Sequence, residues 1–417
     1  MVNEKESLKI CLLTYRGNPA SGGQGVYIRH LGLALKELGH QVEIISGPPY
    51  PQLADQIPLH KLPGLDLYNP DHLFKVKDKK GLLNPLNILE YASMCTGGFP
   101  EPFTFGRRVY QHFKRVSPSY DIVHDNQCLS PGILALQRLR YPLVATIHHP
   151  VTIDRETELR EATSVLKKIK IRRWYSFLDM QKRVSRRIGR IITVSQASQR
   201  DLSREYGINP GSLSVVMNGI DREYFHPVPG VERENDHLLV TNSADTPLKG
   251  LRYLLEAVAT IRKKRTIRLT VIGAPKKNGV IEQLIRHLGL GEAVNFTGRI
   301  EYNQFAHYYA RAAIAVIPSL YEGFGLPAGE AMSCGVPVIS TNGGALPEVV
   351  GDAGIIVPPG DRIALENAIL SLLDDPDRRS RLGQAGFERV QKLFTWRRAA
   401  EQTLTVYREA IDANNRA

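Results

Sequence analysis

"AAIAVIPSLYEGFGLPAGEAMSCG", residues 312–335, reads as strand, loop and helix in one sweep. The apolar run from Ala312 to Ile317 suits a strand buried on both faces. Pro327 fits the first helical position, where its missing N–H costs nothing. Gly323 and Gly325 permit positive φ and let backbone come close to a ligand. Glu322 falls just past the strand's carboxyl end, and Glu330 about one turn into the helix. The amides at a helix start carry partial positive charge and suit a phosphate. Carboxylates on either side of such an anion site suit hydroxyls flanking a phosphate, a ribose on one side and a sugar on the other. The same spacing also fits a loop acid beside a helix-dipole residue, or the paired acids of a glycoside hydrolase.

Outward from this stretch the pattern alternates. LKICLLTY (8–15), QVEIIS (41–46), DIVHD (121–125), PLVATIHH (142–149), RIITVS (190–195) and LSVVM (213–217) read as strands with helices between them. MNGIDREYFHPVPGVERENDH (217–237) reads as a linker. A second series follows with HLLVTNS (237–243), IRLTVIGA (267–274), VNFTG (294–298), VPVIST (336–341) and GIIVP (354–358). Strands alternating with helices imply parallel sheets covered on both faces. The fold class expected is α/β, with two doubly wound, Rossmann-like domains facing across a cleft. Their expected bounds are 1–220 and 221–396, with a last helix, about 397–417, packing back on the first domain. Residues 47–118, rich in proline and glycine, break the rhythm and read as irregular.

The chain has 417 residues, a formal net charge of +12 and an isoelectric point near 9.5. That balance favours anionic partners. Nucleic acid is not expected, because no recognition motif accompanies the charge. Twelve Lys and Arg against four acids fall between Arg155 and Arg190. This segment reads as a solvated helix face, or as one facing an acceptor or an anionic membrane surface. Cys11, Cys95, Cys128 and Cys334 show no C-x-x-C spacing and read as reduced thiols. The opening MVNEKESLKI has no apolar signal core, and no apolar run approaches the ~18 residues of a membrane span. The expected location is cytoplasmic, with peripheral contact at the inner membrane face left open.

Glu322 and Glu330, seven residues apart in EGFGLPAGE, resemble the E-x7-E motif of the retaining glycosyltransferases of family 4, which adopt the GT-B fold. Gly22-Gly23, ELGHQVEII (37–45), NGIDREYFHP (218–227), LKGLRYLLEA (248–257), GGALPEVVG (343–351) and the closing FTWRRAAEQTLTVYREA extend the likeness over most of the chain. The resemblance implies a nucleoside diphosphate sugar as donor, an acceptor of unspecified kind bound mainly by the first domain, and no metal or other cofactor. It implies that Glu330 holds the nucleotide ribose and Glu322 the donor sugar. Backbone at Gly323, Phe324, Gly325 and Leu326 would reach sugar and phosphate. Lys249 matches the diphosphate lysine, which offsets charge on the leaving group. Gly22 and Gly23 would let backbone approach the distal phosphate. His148, in VATIHHP, matches a histidine that lies against the donor sugar, and Arg299 would lie near the base.

One position departs from the family pattern. Many members carry an arginine five residues before the lysine, and here Ala244 stands there. Ser243 and Thr246 are neutral donors close by. Other readings stay open. Gly23 and Gly25, with Glu43 as the ribose acid, partly match a dinucleotide fingerprint. His124, Asp125 and His149 lie at neighbouring strand ends and could compose a metal site, though without ligand spacing. An epimerase on the same fold, or a homologue that binds without catalysing, would keep most of these residues.

Overall fold

The computed structural model describes residues 7–18, 23–53, 57–69, 74–76, 79–242 and 245–416. It divides into two compact units. One comprises residues 1–194, 198–216 and 396–417, the other 195–197 and 217–395.

The first unit is built on seven strands: β1 (Lys9–Thr14), β2 (Gln41–Ser46), β3 (Leu59–Lys61), β4 (Ile122–Asn126), β5 (Leu143–Ile147), β6 (Arg190–Thr193) and β7 (Leu213–Val215). They pair in the order β3-β2-β1-β4-β5-β6-β7, all parallel. Strand geometry sends successive side chains of β1 to opposite faces. Ile10 and Leu12 pack with Ile28, Leu31 and Leu35 of the helix Gly23–Glu37, and with Ala400, Leu404 and Tyr407 of the last helix, Trp396–Asn415. Cys11 and Leu13 face the other way, onto Phe105, Val109 and Phe113. Burying each such side chain stabilises by about 1.5–3 kcal/mol, so both faces of the sheet must be covered.

Residues 47–118 are more regular than their composition predicts. They contain β3 and two helices, Pro85–Cys95 and Glu101–Val116. The Asn84 side chain caps the first by accepting from the Leu86 amide at 2.9 Å. The stretch between Arg155 and Arg190 folds mainly as the helices Thr152–Glu161, Val165–Trp174 and Leu178–Ser185. Lys167, Lys168 and Lys170 are exposed there, as are Val165, Leu166 and Ile169.

The second unit carries β8 (Glu234–Thr241), β9 (Arg268–Ile272), β10 (Val294–Phe296), β11 (Ala312–Ile317), β12 (Val338–Thr341) and β13 (Gly354–Val357). Their order is β10-β9-β8-β11-β12-β13, again parallel. β8 begins three residues before His237, so the linker is shorter than its polarity suggests. Leu254, Leu255 and Val258 of the helix Leu251–Ile261 join Leu365, Ile369 and Leu372 of Arg362–Leu373 in the core over this sheet. Each sheet reverses its strand order once, between β1 and β4 and between β8 and β11. Beyond the carboxyl ends of such a reversal the neighbouring loops part and leave a crevice for ligands. The four cysteines are free. Among the described residues, no helix is long and apolar enough to cross a membrane.

Candidate active site

At the β8/β11 reversal two loops are locked together. After β8 the chain forms a tight turn, Pro247–Lys249, and Gly250 follows at φ 64°. A Cβ on Gly250 would lie 2.0 Å from the Pro318 carbonyl oxygen, so only glycine lets this turn press against the exit of β11. The Leu320 amide donates to the Leu248 carbonyl at 2.7 Å, and the buried Asn242 side chain donates to the Lys249 carbonyl at 3.1 Å. This bracing puts Lys249 Nζ 2.7 Å from Glu322 Oε1. Ser319 Oγ donates to the same oxygen at 2.7 Å. The Glu322 side chain is 12% exposed, so its carboxylate is held by a cation and a hydroxyl in a largely desolvated place.

The backbone of Glu322 is fixed from its other side. It bridges Gly344, and the Ala345 amide donates to the Glu322 carbonyl at 2.9 Å. Gly344 has φ 66°, and a Cβ there would come within 2.2 Å of that carbonyl oxygen. Gly344→Ala is therefore expected to destabilise the unit by at least about 2 kcal/mol in a denaturant titration, through steric clash and backbone strain together.

Gly325, at φ 97°, caps the helix Leu326–Ser333. Pro327 is the second helical residue rather than the first, and its missing N–H is equally harmless there. Phe324 is buried and packs edge-on to Phe394 at 5.7 Å, so this residue offers a ligand its backbone only. The amides of Phe324, Gly325 and Leu326 lie ahead of the first turn, where a helix has no internal acceptors for them.

Glu330 lies under this loop, one turn into the helix. Burial pushes its carboxyl up to about 8, and the charge of Asp221 acts the same way. Lys249 and a hydrogen bond from the Tyr309 hydroxyl oppose the rise. Tyr309 is buried, and its hydroxyl also meets Thr241 Oγ1 at 3.0 Å. Asp221 is buried in the linker and accepts from the Glu223 amide. Ser319, Asn242, Tyr309 and Asp221 were not among the candidate residues. Ser319 and Asn242 follow strand ends, a signal that could have found them, whereas Tyr309 and Asp221 carry none. Arg299 is exposed after β10, beyond the Gly273–Gly298 bridge. It stands two strands from the reversal, and no hydrogen bond joins it to the Lys249–Glu322 pair among the described residues. Ser243 and Ala244 lie outside the described residues.

In the first unit Gly22 lies outside the described residues, and Gly23 opens its helix exposed to solvent. A Cβ on Gly25 would meet the Gly17 and Asn18 carbonyls at 2.6 Å, so this glycine serves the loop's own packing. Glu43 is the third residue of β2 rather than its end, and it accepts from the Tyr120 hydroxyl at 2.7 Å and pairs with His60 at 2.8 Å. The dinucleotide reading loses its ribose acid on that account. His148, just past β5, has its amide held by Gln127 Oε1 and its Nε2 2.8 Å from Asn126 Oδ1. Asn126 in turn donates to the Gln24 carbonyl at 3.1 Å, so its oxygen faces His148 and Nε2 carries the proton. Tyr27 packs edge-on against the ring at 4.8 Å. Burial, helped by His149 and His124, lowers the imidazole to about 3, so it is neutral and a poor base. His124 is buried between the Tyr407 and Thr146 hydroxyls, His149 pairs with Asp154, and Asp125 accepts the Cys128 and Leu129 amides. Among the described residues, no group of three or more His, Cys, Asp or Glu side chains could hold a metal ion.

Comparison with known proteins shows the family and the fold. Residues 21–224 match the family model described as Glycosyltransferase Family 4, and residues 225–389 match Glycosyl transferases group 1. The chain is 42% identical, over 97% of its length and 98% of the relative's, to an MMP α-(1→4)-mannosyltransferase of Mycolicibacterium hassiacum. A sucrose-phosphate synthase from Thermosynechococcus elongatus superposes with a TM-score of 0.74 at 26% identity, covering 97% of this chain and 100% of that one. HepE of Anabaena, solved with UDP and glucose, has the same fold, with a TM-score of 0.68 at 20% identity over 95% of this chain and 98% of that one.

Proposed function

The chain belongs to glycosyltransferase family 4, and from that premise we propose that it moves a hexosyl group from a nucleoside diphosphate sugar to an acceptor hydroxyl, retaining the anomeric configuration and using no metal ion. Sugar transfer on the GT-B fold follows from the family itself. The 42% identity to a mannosyltransferase supports a mannosyl group as the sugar and a 4-hydroxyl of a glycan as the acceptor. The observation that carries the reading is the Lys249–Glu322 pair at the β8/β11 reversal, with Glu330 one helical turn beyond.

Each residue has a role that its environment supports. Glu330, with the Tyr309 hydroxyl beside it, takes the ribose hydroxyls. The diphosphate lies along the amides at the start of Leu326–Ser333, with Lys249 at its charge. Glu322 takes donor sugar hydroxyls, and His148, neutral with its Nε2–H given to Asn126, accepts a hydrogen bond from a sugar hydroxyl at Nδ1 without acting as a base. Departure of the nucleoside diphosphate leaves negative charge on its terminal phosphate. A fixed ammonium and oriented amides stabilise that charge with little reorganisation. The departing oxygen takes the acceptor proton on the same face of the sugar, which gives retention, and alignment of the two substrates supplies much of the rate.

The test is transfer with UDP-, GDP- and ADP-linked mannose and glucose onto mannosyl acceptors, followed by product NMR. An α-linked product from an α-linked donor, formed at an unchanged rate in EDTA, is the expected result. A β-linked product or loss of activity in EDTA would each remove part of the reading. Release of a free 2-epimer would favour the epimerase instead.

A further inference from the structure

At the amino ends of β8, β11 and β12, the end of the second unit's sheet away from the Lys249–Glu322 pair, lies a cavity of about 480 Å³. Arg233, just ahead of β8, and Arg379, in the helix Pro376–Leu393, both line it. Arg233 donates to the carbonyls of Ala312, Cys334 and Gly335 at 2.9, 3.3 and 2.8 Å. Arg379 donates to the carbonyls of Leu372 and Leu373 and to Asn235 Oδ1, at 3.2, 3.0 and 3.0 Å. All of these partners are neutral, and a guanidinium has more N–H donors than the three hydrogen bonds each makes. Among the described residues, no acid lines the cavity. Most acids nearby are engaged elsewhere, Glu234 with Arg268 and Arg311, Asp236 and Asp374 with Arg265, and Asp375 with the Arg378 amide, capping its helix; Glu232 and Asp377 are exposed and do not belong to the lining. Partial burial of the guanidinium and the charge of Arg379 both lower Arg233 from its usual range, although the residue as a whole stays open to solvent. Backbone carbonyls thus fix two cations over a cavity that has no counter-charge among its described lining residues. Ala313, Pro337 and Phe387 supply apolar wall.

We propose that this cavity is a binding site for a phosphate monoester with a small body, such as a sugar monophosphate, distinct from the donor site. Two guanidiniums in fixed positions match a dianionic phosphate through charge-assisted hydrogen bonds. The volume exceeds that of the phosphate alone, and the apolar wall suits the body it carries. The assignment does not depend on the donor reading.

Calorimetric titration of the whole chain tests it, with inorganic phosphate in one arm and mannose 6-phosphate in the other. Mannose 6-phosphate is expected to bind more tightly than inorganic phosphate, and equal affinity would reduce the site to a simple anion cradle and overturn the monoester assignment. Arg379→Gln is expected to weaken binding about tenfold or more, the usual effect of losing one charged contact. Ser380→Asp, an exposed rim position with no internal hydrogen bond to lose among the described residues, should weaken it similarly even if Arg379→Gln misfolds. Lys249→Ala should leave it intact. No heat up to concentrations on the order of 10 mM would overturn the proposal. So would binding that survives both cavity variants and disappears in Lys249→Ala, which would place the phosphate at the donor site.

Discussion

Replacing Lys249 with alanine is expected to lower kcat/KM for sugar transfer by about a hundred- to a thousandfold, the scale seen when one preorganised group that stabilises developing charge is removed. The loss should fall mainly on kcat, because charge on the departing diphosphate is greatest in the transition state. The structure also predicts what the change does without substrate. Lys249 Nζ is the cation at Glu322 Oε1, and removing it leaves a side chain only 12% exposed with Ser319 as its remaining side-chain donor among the described residues. The lysine is itself 29% exposed, so solvent screens part of the pair, and the loss of stability should stay below about 2 kcal/mol. A folded but inactive variant is therefore the expected outcome, read by steady-state kinetics beside thermal unfolding. Lys249→Arg keeps the charge but not the shape, and recovers only part of the rate. Glu322→Gln should cost a similar factor, and the double variant less than the product of the two, since the side chains share one contact. Activity within about threefold of the unaltered chain would exclude Lys249 from the diphosphate site.

That pair shows what can be read from a chain and what cannot. Lys249 and Glu322 each carry a local signal, a lysine before a helix and an acid in a glycine-rich bend after a buried strand. Their mutual hydrogen bond spans 73 positions and depends on Gly250 fitting under the Pro318 carbonyl, which no spacing encodes. The strands were legible because burial on both faces makes them near-continuous apolar runs, as in Ala312–Ile317. The helix Glu101–Val116 was not. Phe105, Val109 and Phe113 recur every four residues along its buried face, but Pro100 and Pro102 drew the segment towards a loop reading. Prolines at a helix start are in fact compatible with it. Gly25 and Glu43 show the converse error. Each fits a ligand motif by type and order, and each is engaged by its own neighbourhood, Gly25 by loop carbonyls and Glu43 by Tyr120 and His60. Tyr309 and Asp221, which act in opposite senses on the Glu330 carboxyl beneath the larger effect of burial, come from separate elements and become visible only when the chain is folded.

Glu330→Gln should separate function from stability in opposite directions. Its carboxyl is pushed up to about 8, above its value in an unfolded chain, so the native state holds this proton more tightly than the unfolded state does. As pH rises from about 4.5 to 8, the unfolded chain gives up the proton and the native one does not, so this group lowers stability through that window and levels off above it. This is the reverse of the usual salt-bridged acid. Glutamine cannot ionise and removes the slope. Compared with the unaltered chain, the variant should gain stability steadily across that window, reaching on the order of 2 kcal/mol at pH 9. The gain stays below what the full shift implies, because the amide is still a half-buried polar group that needs partners. Asp125 and Glu101, raised by burial to about 7 and about 8, tilt the whole protein the same way, so the measurement must be the difference between variant and unaltered chain at each pH. Donor binding moves in the other direction. An amide accepts the ribose hydroxyls with one oxygen where the acid offers two, and affinity for the sugar nucleotide should fall by about ten- to a hundredfold. Parallel denaturant titrations from pH 5 to 9 and calorimetry with the donor decide both halves. A variant that loses stability at high pH would refute the raised carboxyl, and one that binds donor normally would remove Glu330 from the ribose.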